Sequence, residues 1–218
     1  MRLVDLSHVI EHGMVTYRGL PAPHICDWLS REASKANYES GTEFQIGQIT
    51  MVANTGTYID TPFHRYADGE DLSQVGLERL VELPGLVVRA TDRQAIDVDA
   101  FDGLDVAGKA VLVHTGWSRH WRTEAYYEGH PFLTEAAAER LVAGGARLVG
   151  IDSHNIDDTA GRTRPVHSTL LGAGVLIVEH MRGLEELPDG PFRFFAAPPK
   201  VKGFGTFPVR AFAAIDEG

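Results

Sequence analysis

Apolar residues along this chain fall into short runs separated by polar, Gly- and Pro-containing segments. The stretch Phe44-Gln45-Ile46-Gly47-Gln48-Ile49-Thr50-Met51-Val52 alternates with a period near two, the pattern of a strand with one buried face. The runs at 86–90, 110–114, 148–151 and 175–178 are continuous and rich in Val, Leu and Ile, the composition of strands buried on both faces. Shorter strands are predicted at 2–6, 192–197 and 209–214. The clearest helix spans 134–143: Thr134 is an N-cap, Glu135 sits in the first turn, alanines follow, and Gly144-Gly145 ends it. Short helices are predicted within 71–82 and near 28–33. Residues 13–42 are otherwise irregular, and so long an irregular stretch usually wraps a site or a partner subunit. Strands mixed with a few helices predict an α/β fold with a mixed β-sheet. No repeat or linker divides the chain, so a compact single domain over residues 1–218 is expected.

Composition narrows the classes of function. The chain has 218 residues, 44% of them apolar, and a formal charge of −10. That acidity argues against a nucleic-acid partner, because phosphate binding depends on clustered Lys and Arg. No apolar run approaches the ~20 residues that cross a bilayer, and the N-terminus lacks the apolar core of a signal peptide. The sole cysteine, Cys26, excludes an internal disulfide and fits a reducing, cytoplasmic setting; it reads as a buried structural thiol.

The strand at 44–52 leads into Asn54-Thr-Gly-Thr-Tyr58-Ile-Asp60-Thr-Pro-Phe-His64. A loop of turn-formers carrying a carboxylate and an imidazole on a rigid strand is a common support for metal ligands or acid–base groups. Downstream, His167 precedes a short helical turn and Glu179 ends an apolar strand. His154 follows another strand end, Trp117 follows Thr115-Gly116, and Arg162 and Arg164 lie beside His167. Asp152 and Asp157 are expected to organise their turn through backbone amides. His24, in the irregular segment, is a weaker candidate. His12, His114, His120 and His180 have no informative spacing, and Gly203-Phe204-Gly205 reads as a turn before the last strand. No phosphate loop, dinucleotide fingerprint or serine-nucleophile elbow is present.

The 54–64 loop resembles the signature of the cyclase family, which includes kynurenine formamidase (arylformamidase) and isatin hydrolase and has the pattern His-x-Gly-Thr-His-x-Asp-x-Pro-x-His. Gly56, Thr57, Asp60, Pro62 and His64 match; Asn54 and Tyr58 stand where the pattern has its first two histidines. The spacing of His167 and Glu179 also matches the family's distal ligand pair, and Asp5-Leu6-Ser7-His8, Thr115-Gly116-Trp117, His130–Thr134 and Gly150-Ile151-Asp152 extend the likeness over nearly the whole chain. The resemblance implies an α/β domain of the swivelling β/β/α type, assembled as a homodimer or homotetramer through interlocking N-terminal segments. It implies a divalent ion, Zn²⁺ or Mn²⁺, on Asp60, His64, His167 and Glu179. Loss of the two histidines suggests one ion rather than two, with the Tyr58 hydroxyl in the vacated space as a donor to an oxyanion. His64 is either a ligand or the acid–base group. Asn54, Trp117 and His154 are expected to bind substrate. The implied activity is metal-dependent hydrolysis of an amide, lactam or ester bond in a small molecule. A metal-free relative that only binds a ligand, and an isomerase or dehydratase that stabilises an enolate, remain the rival readings.

Overall fold

The Val-rich runs form the centre of a nine-stranded mixed sheet in the computed structural model, which describes residues 1–216. Strands Leu83–Arg89, Ala110–His114, Leu148–Ile151 and Leu176–Glu179 lie side by side and parallel. Phe192–Phe195, Phe212–Ile215 and Arg2–Asp5 extend one edge antiparallel. Tyr58–Asp60 and Thr206–Pro208 extend the other, also antiparallel. Successive residues of a strand point to opposite faces, so each central strand feeds two cores. Leu112, Leu176 and Val178 join Leu6, Ile59 and Phe194 on one face. Val111, Val113 and Ile177 join Phe101, Leu141 and Leu170 on the other, under the two helices Glu135–Ala143 and Pro165–Gly172. This agrees with the α/β fold expected from the sequence.

The helix at Glu135–Ala143 starts as read: the Thr134 hydroxyl accepts from the Ala137 amide. Four expectations change. The 71–82 segment holds only a single 3₁₀ turn, Leu77–Arg79, because Asp71 spends its carboxylate on Ser73 and on the distant Gly203 amide. The expected helix near 28–33 is a strand, His24–Leu29, followed by one helical turn, Arg31–Ser34. The alternating strand is shorter, Ile46–Thr50, and exposed along its whole length; it pairs with His24–Leu29 in a separate two-stranded ribbon that carries His24 and a half-buried Cys26. Between Gly203 and the last strand lies an unpredicted strand, Thr206–Pro208. Among the described residues no helix is long and apolar enough to cross a membrane.

Candidate metal centre

Sheet register builds the site. Tyr58 lies directly opposite Glu179, and Asp60 opposite Thr206. Residues paired across antiparallel strands share a face and come within contact. Accordingly, the Tyr58 hydroxyl donates to Glu179 Oε2 at 2.7 Å, and the Thr206 hydroxyl donates to Asp60 Oδ1. A 3₁₀ turn, Pro62–His64, brings His64 back beside Asp60. The turn can close because residue 205 is glycine: a Cβ there would lie 2.2 Å from the His64 amide nitrogen.

His167 reaches the same point from the helix Pro165–Gly172. Asp157 sets that helix: its Oδ1 accepts from the Val166 amide at 2.7 Å, and its Oδ2 from the His167 amide at 3.0 Å and from His167 Nδ1 at 2.6 Å. The bond from Nδ1 to Asp157 fixes the ring and turns Nε2 toward the floor, where a divalent ion would take the place of its proton. His167 Nε2 lies 3.8 Å from Asp60 Oδ2 and 3.7 Å from Glu179 Oε1. These gaps are too long for hydrogen bonds. They are close to the spacing of neighbouring donors on one ion whose bonds are about 2.0–2.2 Å. Donor atoms of Asp60, His64 and His167 all lie within 4.8 Å of one another.

Asp60 Oδ2 supplies the test of fit. It is buried and has no hydrogen-bond partner. A bare buried carboxylate oxygen costs free energy unless something cationic meets it. The donor set here, imidazole and carboxylate, suits a first-row divalent ion. Glu179 is better satisfied, since Oε1 accepts from the Ile156 amide at 2.7 Å, yet that oxygen keeps a second lone pair. Burial opposes a charge on His167, but the Glu179 carboxylate, the hydrogen bond to Asp157 and the nearby Asp60 charge outweigh it and raise its pKa to about 10. Burial pushes Glu179 up to about 7, against the pull of His167. The floor thus holds a proton that a divalent ion would displace.

His64 has a defined tautomer. The single Thr206 hydroxyl proton goes to Asp60, so Thr206 Oγ1 accepts from His64 Nδ1 at 2.8 Å. His64 Nε2 is left as a lone pair, and the ring lines the cavity over the floor.

Tyr58 and Glu179 connect to further groups. His180 Nε2 lies 3.3 Å from the Tyr58 hydroxyl, and His180 Nδ1 lies 2.9 Å from the Tyr126 hydroxyl. Burial first, then the Glu179 charge, pushes the Tyr58 phenol well above its ordinary value. Its proton is engaged with Glu179 rather than free for an oxyanion, so in this arrangement Tyr58 orients a carboxylate.

Above the floor lies a cavity of about 320 Å³ lined by Tyr17, Leu20, Asn54, Tyr58, His64, Arg65, Asn155, Arg164, His167 and Glu179. Asn54, Tyr58, His64, His167 and Glu179 therefore converge, with Asp60 beneath them. Trp117 and His154 do not line it. Trp117 Nε1 donates to the Tyr126 carbonyl at 3.0 Å, and His154 packs behind Tyr17, ring centroids 4.5 Å apart. The turn after each strand, rather than the strand itself, aims these two side chains elsewhere. Tyr17, Thr206 and His180 escaped the sequence reading. Tyr17 comes from the irregular segment, its hydroxyl donating to the His154 carbonyl at 2.9 Å and accepting from Asn155 Nδ2 at 2.6 Å. His180 has a left-handed backbone, φ 53°, which redirects it from the strand's alternation.

Comparison with known proteins bears on this geometry. The sequence profile of the family described as putative cyclase matches residues 4–158. A kynurenine formamidase of Geobacillus thermodenitrificans is 29% identical over 212 residues, covering 95% of both chains. One from Bacillus cereus is 26% identical over 210 residues, again with 95% of both covered. A solved structure described as a potential metal-dependent hydrolase with cyclase activity superposes with a TM-score of 0.80 at 29% identity, covering 97% of this chain and 96% of that one. An isatin hydrolase bound to thioisatinate shares the fold, with a TM-score of 0.81 at 22% identity over 99% of this chain and 92% of that one.

Proposed function

The chain belongs to the cyclase family, and from that premise we propose that it is a metal-dependent hydrolase of an amide, lactam or ester bond in a small molecule, amides first. The observation that carries the reading is the buried Asp60 Oδ2, which has no hydrogen-bond partner, set 3.8 Å from His167 Nε2. Asp60, His167 and Glu179 would hold one Zn²⁺ or Mn²⁺, with His64 as a further ligand or as the base. When bound, the ion supplies Lewis acidity, polarising a carbonyl oxygen and acidifying water.

The chain's own groups have distinct tasks. Asp157 keeps His167 in the tautomer that presents Nε2. Thr206 does the same for His64, whose Nε2 can take a proton from water and return it to the leaving group. Tyr58 and the Ile156 amide fix both Glu179 oxygens. Tyr17 and Leu20 line the cavity. Tyr58 fills space that the family's pattern gives to a histidine, which supports a single ion per chain and separates this site from the full signature of its relatives.

Elemental analysis after loading with Zn²⁺ or Mn²⁺ tests the reading. The expected outcome is about one ion per chain, lost in His167→Ala, together with metal-dependent hydrolysis within a panel of formamides, lactams and esters. Two ions per chain would overturn the single-metal proposal, and none would overturn the hydrolase.

One domain over 1–218, a cytoplasmic setting and a homodimer or homotetramer complete the proposal. The ribbon supports the assembly: Trp28, Phe44, Ile46 and Ile49 are each more than half exposed, an apolar concentration that a second copy would cover. Light scattering should give a dimer or larger, and Ile49→Asp a smaller species; a wild-type monomer at micromolar concentration would refute it.

A further inference from the structure

The same cavity carries two chemistries at two depths. Its floor is anionic, with Asp60 and Glu179 buried. Its upper wall is cationic, formed by Arg65 and Arg164. Both arginines are fixed without neutralisation. Arg164 Nη1 donates to the carbonyls of Thr163 at 2.7 Å, Gly161 at 3.0 Å and Asp158 at 3.4 Å. Arg65 Nε donates to Ser168 Oγ at 3.1 Å, and its guanidinium lies 5.1 Å from the Tyr66 ring centroid. Ser168 Oγ in turn donates to the Arg164 carbonyl at 2.8 Å, which ties both residues to one wall. Neither guanidinium has a carboxylate partner among the described residues, and each leaves two nitrogens uncommitted. Other arginines divide between carboxylate partners, as for Arg18, Arg79, Arg93, Arg122 and Arg210, and backbone carbonyls, as for Arg2 and Arg119; Arg65 and Arg164 differ in lining a cavity. Two positioned, unneutralised guanidinium groups over a cavity therefore lack an anion that the protein does not provide.

We infer that the substrate carries a carboxylate, or an anion of the same planar type, which Arg65 and Arg164 hold while the bond to be broken lies over Asp60 and Glu179. A guanidinium fork matches a carboxylate with two parallel hydrogen bonds. The cavity volume, near the lower end for small-ligand sites, limits the ligand to a small organic acid. Tyr17, Tyr58 and Leu20 provide apolar surface between the two polar ends. The resulting class is an acylamino acid or a similar amide-bearing carboxylate. The opposite orientation, carboxylate on the floor, would set two anions beside Glu179 and leave both arginines unsatisfied. This inference rests on the cavity being the substrate site proposed above.

The test is calorimetric binding of hippurate and of its neutral carboxamide to the metal-loaded protein. The two probes share one amide and differ only in the carboxylate. Hippurate should bind about tenfold or more tightly, the scale of hydrogen bonds to charged groups, and raised salt should weaken hippurate alone. The Arg65→Met/Arg164→Met protein should bind both probes alike. Arg65→Lys/Arg164→Lys, which keeps the charge and loses the fork, should fall between and serves if the Met variant fails to fold. Equal binding of the two probes to the wild type, no binding of either at millimolar concentration, or a preference that survives in the Met variant would each overturn the inference; the last is what carboxylate capture by the metal would give. A preference that requires the arginines in a protein that hydrolyses nothing would support this inference while removing the hydrolase reading.

Discussion

The two sides of the cavity floor use the same residue types to opposite ends. On one side Asp60 Oδ2 has no hydrogen-bond partner, while Asp60 Oδ1 and the Nδ1 atoms of His64 and His167 are held by Thr206 and Asp157. On the other, Glu179, Tyr58, His180 and Tyr126 bond to one another in sequence. The imidazoles titrate accordingly. Neighbouring carboxylates raise His167 to about 10, whereas burial lowers His154 to about 3 and His180 well below its ordinary value. A ligand position is thus marked less by residue type than by what is left unsatisfied after the neighbours have bonded. Tyr58, on the closed side, stands where the family pattern has a histidine, and under the proposed single-ion reading that side would exclude a second ion.

Asp157→Asn should break the open side most severely. The amide offers one acceptor where the carboxylate offered several, so His167 loses the partner that fixes its tautomer. Outer-shell changes of this kind cost about 10–100-fold in metal affinity, and competition with a chelator should show that loss with the fold intact by circular dichroism. Unchanged affinity would mean that Asp157 matters only for the helix start. Tyr58→Phe probes the closed side with a smaller expected effect. Glu179 Oε2 loses its donor, and a hydrogen bond to a charged group contributes about 1.5–3 kcal/mol, so activity should fall about tenfold or more while metal content stays at one per chain. Binding of a second ion by this variant would show that the Tyr58 proton, rather than the missing imidazoles, keeps that side closed.

The contrast explains what the sequence could and could not disclose. Asp60, His64, His167 and Glu179 are implied by the resemblance to the cyclase signature, and the fold brings all four together, with strands 58–60 and 176–179 as neighbours. The Val-rich centre of the sheet was legible because burial on both faces imposes continuous apolar runs. The strands Tyr58–Asp60 and Thr206–Pro208 at that end of the sheet were not, being three residues each and occupied by site chemistry rather than by strand composition. Thr206 follows from cross-strand register, which one chain segment read alone does not contain. His154, which follows a strand end, and Trp117, which follows Thr115-Gly116, are expected at the site, but the turns that re-aim them leave no periodic trace. The ribbon strand reads as half-buried because its alternation has that period, yet Ile46 and Ile49 are each more than half exposed.

His154 offers the finest test of the comparison, because it lies on the closed side without belonging to the hydrogen-bonded chain. It is buried, its Nδ1 has no partner, and burial, then His130 and Arg18, lower its pKa to about 3. A group whose folded pKa lies below its unfolded value of about 6.5 favours the folded state above that value and loses its contribution as pH falls toward the folded pKa. From pH 7 to pH 5 the loss at this one imidazole is about 2 kcal/mol, at 1.36 kcal/mol per unit below 6.5. His154→Phe keeps the aromatic contact with Tyr17 and removes the titration. Thermal unfolding should therefore show similar Tm values for the two proteins at pH 7.5 and a higher Tm for the variant at pH 5, by several degrees for a chain of this size. Parallel acid limbs would instead mean that His154 is hydrated on acidification. The closed side would then be open to water, and its exclusion of a second ion would need a cause other than burial.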